Sequence, residues 1–259
     1  MIKEKINIPE QTATDNNDVV ISIKGLDKSF GIDNHVLKGV DLKVKKGENL
    51  VVLGKSGSGK SITIKCLVGL VDPDKGEVKV FDTDITKLNN AQMNVLRLRI
   101  GFLFQNSALY DSMTVRQNME FPLKRHSKQL SAKEIDDAVI STLNDVGLAE
   151  AVDRMPSELS GGMRKRIGLA RTLILKPEIM LYDEPTTGLD TITSREISEL
   201  ILAIQKKNKT SSIIITHDMA CAKLTGDRVV ILKDGVIIAE GSYDALEKSE
   251  DEWVRSFFI

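Results

Sequence analysis

The sequence predicts an α/β protein: a parallel-sheet core with an antiparallel β subdomain toward the N-terminus and a helical subdomain inserted partway. Three observations predict it. Short apolar runs of strand length recur between amphipathic helical stretches, the order that builds a parallel sheet. The run NLVVL (49–53) leads straight into a glycine-rich loop and then a helix. The stretch from about 106 to 160 breaks the strand–helix alternation and reads as helix throughout.

Taken in order, VVISIK (19–24) alternates as a half-buried strand does, and VDLKV (40–44) repeats the pattern. NLVVL is apolar throughout, as a strand covered on both faces would be. GKSGSGKS (54–61) follows, then a helix to about Leu70. EVKVFD (77–82) and IGFLFQ (100–105) are further strands, the second ending on the polar Gln105. Helix resumes at Thr114. Ser131 and Glu134 have capping-box spacing, Ile135, Ala138, Val139 and Leu143 share one face, and Gly147 stops the element. LSGG (159–162) opens another helix that ends before Pro177. EIMLYDE (178–184) is a buried strand with acids at its tip. Ile197, Leu200, Ile201 and Ile204 mark a helix, and SSIIIT (211–216) a buried strand before His217. RVVILKDGVIIAE (228–240) reads as a hairpin turning at Asp234-Gly235. The expected segments are a polar tail over 1–18, a core over 19–105 and 161–245, the helical subdomain over 106–160 and an aromatic tail over 246–259.

Composition narrows the function. With 259 residues, 41% hydrophobic and 28% charged, the chain can bury a sizeable core. Its formal net charge is −1, which argues against a nucleic-acid partner, since such proteins carry a basic excess. No run approaches the ~18 apolar residues that span a bilayer. The first 18 residues lack an apolar stretch and a small-residue cleavage site, so they read as a polar tail rather than a signal peptide. Cys66 and Cys221, with no CxxC pairing, read as reduced thiols.

Two motifs carry chemistry. GKSGSGKS fits G-x-x-x-x-G-K-[ST] between a buried strand and a helix, the context in which backbone N–H groups converge on phosphate oxygens. Lys60 would reach the β- and γ-phosphates and Ser61 would ligate Mg²⁺. Lys55 either adds charge near the nucleotide or is a solvated loop lysine. In such sites an acid ending a buried strand holds the metal, which suits Asp183. Glu184, with no metal role left, suits a base that orients the attacking water. The start of the LSGG helix is a second place for an anion, because its first N–H groups lack intrahelical partners.

With these residues in view, the chain resembles one family: the ATP-binding subunits of ABC transporters, P-loop NTPases with a RecA-like core. The resemblance covers about residues 19–245. It rests on the order and spacing of the loop at 54–61, Gln105 at a strand end, LSGG at 159–162, MLYDE at 180–184, GLD at 188–190 and His217 after a strand. It implies that two copies pair head to tail around two ATP and Mg²⁺, the Ser160, Gly161 and Gly162 helix of one capping the γ-phosphate held by the other. Gly54, Lys55, Ser56, Gly57, Ser58, Gly59, Lys60, Ser61 and Ile62 would then cradle phosphate. Phe30 would stack on adenine with Val36 beside it. Ser61, Gln105 and Asp183 would hold Mg²⁺. Glu184, His217, Gln105 and Lys60 would carry catalysis, and Asp190 would lie at the subunit contact. His35 and His126 match nothing in the family. Two departures stand out. Ile62 replaces the usual Thr and loses a hydroxyl, and Met163 replaces the usual Gln.

LSGGMRKR, LYDEPTTGLD, DSMTVRQN and the ending EDEWVRSFF further resemble the ATPases of Mla/MCE-type phospholipid transporters. That subgroup implies an integral membrane permease, an MCE-domain lipid-binding subunit, and a peripheral place on the cytoplasmic face of the inner membrane. Gln105 and residues 109–114 would receive the permease. Lys124, Arg125, His126 and Lys128 form a basic run that reads as a solvated face or a head-group contact. Trp253, Phe257 and Phe258 read as packing on their own subunit, or as a contact with another. Amino-acid importers and lipoprotein-releasing systems share the same core and are the alternative. A DNA-repair or translation ABC protein would carry coiled-coil insertions, paired cassettes or basic arms, and a small-molecule kinase would not need LSGG.

Overall fold

The computed structural model describes residues 19–31, 34–127 and 129–258, so the expected polar tail and Lys128 lie outside the described residues. Among these, two sheets form, with helices packed around them. The first is antiparallel, with strand order β2-β1-β4-β5. It comprises β1 (Val19–Ser29), β2 (His35–Lys45), β4 (Lys75–Val80) and β5 (Thr83–Asp84). β1 and β2 are longer than the alternating segments predict, because bulges at several points keep them paired through Ser29 and His35.

The second sheet has the order β10-β9-β3-β8-β7-β6. β3 (Asn49–Leu53), β6 (Ile100–Leu103), β7 (Ile179–Asp183), β8 (Ser211–Thr216) and β9 (Arg228–Lys233) run parallel, and β10 (Val236–Gly241) returns antiparallel from β9. β3, β7 and β8 are buried at every residue, which is why each reads as an unbroken apolar or small-residue run. β6 is shorter than predicted. It ends at Leu103, and Gln105 sits in the turn beyond. Ser107 and Ala108 in that turn take left-handed backbone, with φ of 58° and 48°.

The helices are α1 (Lys60–Leu67), α2 (Asn90–Arg97), α3 (Val115–His126), α4 (Ala132–Asp145), α5 (Gly161–Leu173), α6 (Thr191–Asn208), α7 (Met219–Thr225), α8 (Tyr243–Glu247) and α9 (Glu252–Arg255). α1 stops at Leu67, one turn short of the expected Leu70. The capping box at Ser131 and Glu134 forms as its spacing predicts, and Thr114 with Gln117 makes another. Ile135, Val139 and Leu143 are buried on α4, while Ala138 only edges the cluster. α3, α4 and α5 bury this cluster together. Its wall therefore includes Ile167, Ala170 and Ile174 from the helix that LSGG opens.

The C-terminal aromatics fold back on the same chain. Trp253, Phe257 and Phe258 pack against the cluster that holds Tyr182 and Ile201. The Lys233 ammonium lies 3.9 Å from the Trp253 ring centre. The basic run after Leu123 closes α3, where cations suit the helix dipole, and Lys124 pairs with Glu120 at 2.5 Å.

Candidate active site

The parallel strands present their C-terminal ends to one side, where ligands of open α/β sheets bind. β3 delivers the glycine-rich loop there, β8 delivers His217 and β7 delivers Asp183 and Glu184. Asp183 pairs in register with Ile215, so the tips of adjacent β7 and β8 stand nearly level.

The loop wraps tightly because two glycines permit it. A Cβ on Gly54 would lie 2.4 Å from the Leu232 carbonyl oxygen, and one on Gly59 would lie 2.6 Å from Leu37 Cδ2. Gly59 also has φ of 103°, where only glycine is at ease, and from there it starts α1. Lys60 is the first residue of α1 and only 6% exposed. Its ammonium donates to the Gly54 and Lys55 carbonyls at 2.7 and 3.1 Å and lies 3.8 Å from Glu184 Oε1. Burial lowers its pKa, and the charges of Glu184 and Asp183 oppose that shift.

Beneath the loop, Ser61 Oγ donates to Asp183 Oδ1 at 2.7 Å. Two hard oxygens therefore meet at the start of α1, one a carboxylate 7% exposed. Mg²⁺ is held by one or two carboxylates with substrate phosphates and water completing its shell, and this donor pair fits it. No group of three or more His, Cys, Asp or Glu able to hold a metal occurs among the described residues. Ser58 Oγ in the same loop is buried without a partner among the described residues, a hydroxyl that phosphate oxygens can satisfy.

Glu184 is the most constrained side chain of the site. Its backbone is left-handed at φ 51°, and its amide donates to the Ile215 carbonyl at 2.9 Å. Its Oε2 accepts from Thr187 Oγ1 at 3.1 Å and lies 2.7 Å from His217 Nδ1. A carboxylate oxygen accepts here, so Nδ1 carries the proton between the two groups.

Phe30, Val36, Lys55, Ser56, Gly57 and Ile62 line a cleft of about 710 Å³ together with Gly59, Lys60, Ser61, Gln105, Glu184 and His217. Gly54 and Ser58 are buried members of the same loop that do not line it, and Asp183 is joined to the lining by its hydrogen bond with Ser61. Phe30 is 43% exposed, an open aromatic face with the Lys28 ammonium 5.4 Å from its centre. Asn34 also lines the cleft and Thr187 holds Glu184. Both were silent in the sequence, which shows them only as polar loop residues.

Ser160, Gly161, Gly162 and Asp190 do not line the cleft among the described residues. They form a second group. Ser160 caps α5, its Oγ accepting from Met163 N at 3.2 Å. Asp190 caps α6, accepting from the amides of Ile192 and Thr193 at 3.0 Å each and from Thr193 Oγ1 at 2.7 Å. The two helix starts are pressed together: a Cβ on Gly162 would lie 2.6 Å from Thr193 Cγ2. Ile192 stands beside them, 74% exposed.

The comparisons with known proteins agree with this geometry. A family profile described as ABC transporter matches residues 37–187, more than half of the chain. Protein TRIGALACTOSYLDIACYLGLYCEROL 3, chloroplastic, of Arabidopsis thaliana is 39% identical over 96% of this chain and 76% of its own length. The probable ABC transporter ATP-binding protein PEB1C of Campylobacter jejuni is 38% identical over 85% of this chain and 90% of its own. Among solved structures, the dimeric ATP-binding cassette MJ0796, in a post-hydrolysis state bound to ADP and Pi, superposes with a TM-score of 0.79. It is 31% identical and covers 86% of this chain and 98% of its own. The cbiO1 protein from Clostridium perfringens, part of the ABC transporter complex cbiONQ, reaches 0.82 at 29% identity, covering 92% of this chain and 94% of its own. A phosphate loop, a carboxylate pair at one strand tip, a histidine at the next and this breadth of similarity lead to one statement: the chain belongs to the ABC transporter family, as an ATPase of that family that takes ATP with Mg²⁺.

Proposed function

We propose that two copies of this chain close head to tail around two ATP molecules and drive a separate membrane permease. One observation carries the reading: each protomer bears two unlike half-sites. The cleft holds Lys60, Glu184 and His217, whereas the Ser160 helix start faces elsewhere beside the exposed Ile192. An exposed large apolar side chain beside a second helix start, whose Gly161 and Gly162 amides the Ser160 cap does not take up, suits a partner that brings an anion. The dimeric state of the MJ0796 neighbour supports the same arrangement.

In this reading Phe30 stacks on adenine, with Val36 beside it. The amides of residues 54–62 and the Lys60 ammonium hold the phosphates. Ser61, Asp183 and Gln105 would hold Mg²⁺, which when bound would supply positive charge against the phosphate oxygens. Glu184, fixed by Thr187 and His217, accepts a proton from the attacking water. The water oxygen bonds to the γ-phosphorus as the bond to the ADP oxygen breaks. His217 keeps Glu184 aimed through Nδ1–H, and its Nε2, when it also carries a proton, donates to a γ-phosphate oxygen. Ser160, Gly161 and Gly162 close over the partner's γ-phosphate, and Asp190 lies at the contact. No covalent enzyme intermediate is needed, because positioning and charge stabilisation suffice.

The cargo we assign is lipid moved between membranes, with a permease and an MCE-domain subunit as partners and the ATPase peripheral on the cytoplasmic face of the inner membrane. The Arabidopsis relative bears the name of a glycolipid, and LSGGMRKR with EDEWVRSFF supports that subgroup. No helix of the described residues is long and apolar enough to cross a membrane. A second reading, an amino-acid importer, draws on the methionine import protein MetN 4 of Oceanobacillus iheyensis, 40% identical over 86% of this chain. Co-purification from solubilised membranes separates them: an MCE subunit and bound phospholipid support the first, a solute-binding protein the second.

The catalytic reading is tested by Glu184→Gln. Loss of a general base lowers turnover about 10²–10⁴-fold, while ATP binding survives and light scattering finds the dimer accumulating. Full turnover by this variant, or a monomer at saturating ATP, overturns it.

A further inference from the structure

The basic run after LSGG looks like a solvated helix face, but its middle member is not. Lys165 is 6% exposed. Its ammonium donates to the Gln105 carbonyl at 2.5 Å and to the Glu184 carbonyl at 3.2 Å. Its neighbours find other partners: Arg164 reaches the Leu159 carbonyl and Arg166 reaches Glu196. A buried cation is costly unless its donors are satisfied. Here both acceptors belong to residues whose side chains line the ATP cleft.

The surrounding geometry extends this link. Lys165, Gly168 and Arg171 recur one per turn along one face of α5. Gly168 lets Ser107 approach, since a Cβ there would lie 2.8 Å from Ser107 Cβ. Arg171 donates to the Ser107 carbonyl at 3.2 Å and lies 5.4 Å from the Tyr110 ring centre. α5 therefore grips residues 105–110 along its length. At Lys165 this grip also reaches the turn after β7. There Glu184 keeps a left-handed backbone, a state that persists only where surrounding structure holds it. The Ile215 carbonyl holds its amide and Lys165 holds its carbonyl.

We propose that Lys165 is a positioning residue: one buried ammonium ties the Gln105 and Glu184 backbones to α5, so that the helix LSGG opens, the turn after β6 and the hydrolytic glutamate move as one body. The proposal rests on the reading of Glu184 as the base. It concerns aim, not nucleotide binding, because Lys165 does not line the cleft.

The test measures kcat and KM for ATP hydrolysis by the full-length protein carrying Lys165→Met, Lys165→Arg or Lys165→Gln, with the folded fraction of each taken from its thermal transition. Methionine keeps the length and apolar stem but removes every donor. A misplacement of about 1 Å at a reacting group can cost roughly 10²-fold. For K165M the expected result is a kcat at least about tenfold lower, a KM within about twofold of the unaltered protein, and partial recovery of kcat in K165R or K165Q. A kcat within about twofold after correction for folded fraction overturns the proposal. So does a loss confined to KM, or failure of both donor-bearing variants to exceed K165M. Glu184→Gln is measured alongside. If it is inert while K165M is normal, only the role of Lys165 falls; if it turns over normally, the catalytic reading falls and takes this one with it.

Discussion

Replacing Gly168 with Ala tests how closely α5 is seated on the turn after β6. The added methyl would meet Ser107 Cβ at 2.8 Å, Leu103 Cδ1 at 3.2 Å and Ser107 Cα at 3.2 Å. One of these is backbone, so a side-chain rotation cannot relieve the clash. Overpacking of this kind costs about 1–3 kcal/mol, and backbone involvement puts this site toward the upper end. Alanine in mid-helix returns up to about 1 kcal/mol relative to glycine. The clash wins, leaving a net loss of about 2 kcal/mol. At roughly 2–4 °C per kcal/mol for a domain of this size, the thermal midpoint should fall by about 4–8 °C. Circular dichroism of the full chain at a fixed scan rate reads it. Ser107 has φ of 58°, so Ser107→Gly suits its backbone while removing the nearest obstructing atom. The double variant should regain at least half of the loss. A single variant that melts at or above the parent temperature, or a double that regains nothing, would mean α5 and residues 105–110 are not in contact as described.

Two further outcomes are expected. Lys60→Ala removes the charged donor above the loop and should weaken ATP binding about 10–100-fold, as loss of a charge-assisted hydrogen bond implies; unchanged affinity by titration calorimetry would show that the ammonium does not meet phosphate. Arg228 grips Glu48 with two bonds of 2.7 and 3.1 Å and also reaches Glu240. Burial alone would raise the Glu48 pKa, but the hydrogen bonds from Arg228 and the Lys45 amide outweigh it and hold the carboxyl below its ordinary value. A depressed folded-state pKa stabilises above the unfolded value near 4.5 and is lost as pH falls through the folded one. Arg228→Met should therefore cost about 1–2 kcal/mol at pH 7, and the gap to the parent in urea midpoints should narrow as pH falls below 4.5. A gap that persists unchanged to pH 3 would contradict this.

What could be read from the chain depended on how much of each element's character its own residues carry. β3, β7 and β8 are covered on both faces, so their apolar runs announce them. The loop between β3 and α1 needs glycines at set spacings, and the spacing is visible. α7 is only seven residues long and left no periodic trace. α2 carried one unused signal, Asn89 and Gln92 at capping-box spacing, which the structure completes. β6 was drawn too long because Phe104 and Gln105 continue its pattern, and left-handed backbone at Ser107 cannot be seen in a serine. The cleft residues Lys60 and Ser61, Glu184, and His217 come from three separate segments and were placed by motif. Lys165 escaped because a lysine between two arginines looks solvated; its burial follows from where β6 and β7 end, which is a property of the assembled sheet.

The sheet order has a consequence for the whole class of variants one could build. β8 lies between β3 and β7, and neighbouring strands keep a gauge of about 4.8 Å. The three prongs that carry Lys60, His217 and Glu184 are thus spaced by backbone ladders rather than by the side chains at their ends. Loops grafted onto these prongs inherit a fixed comb. A tooth can be exchanged, yet the pitch between teeth stays the same unless the ladder itself is rebuilt.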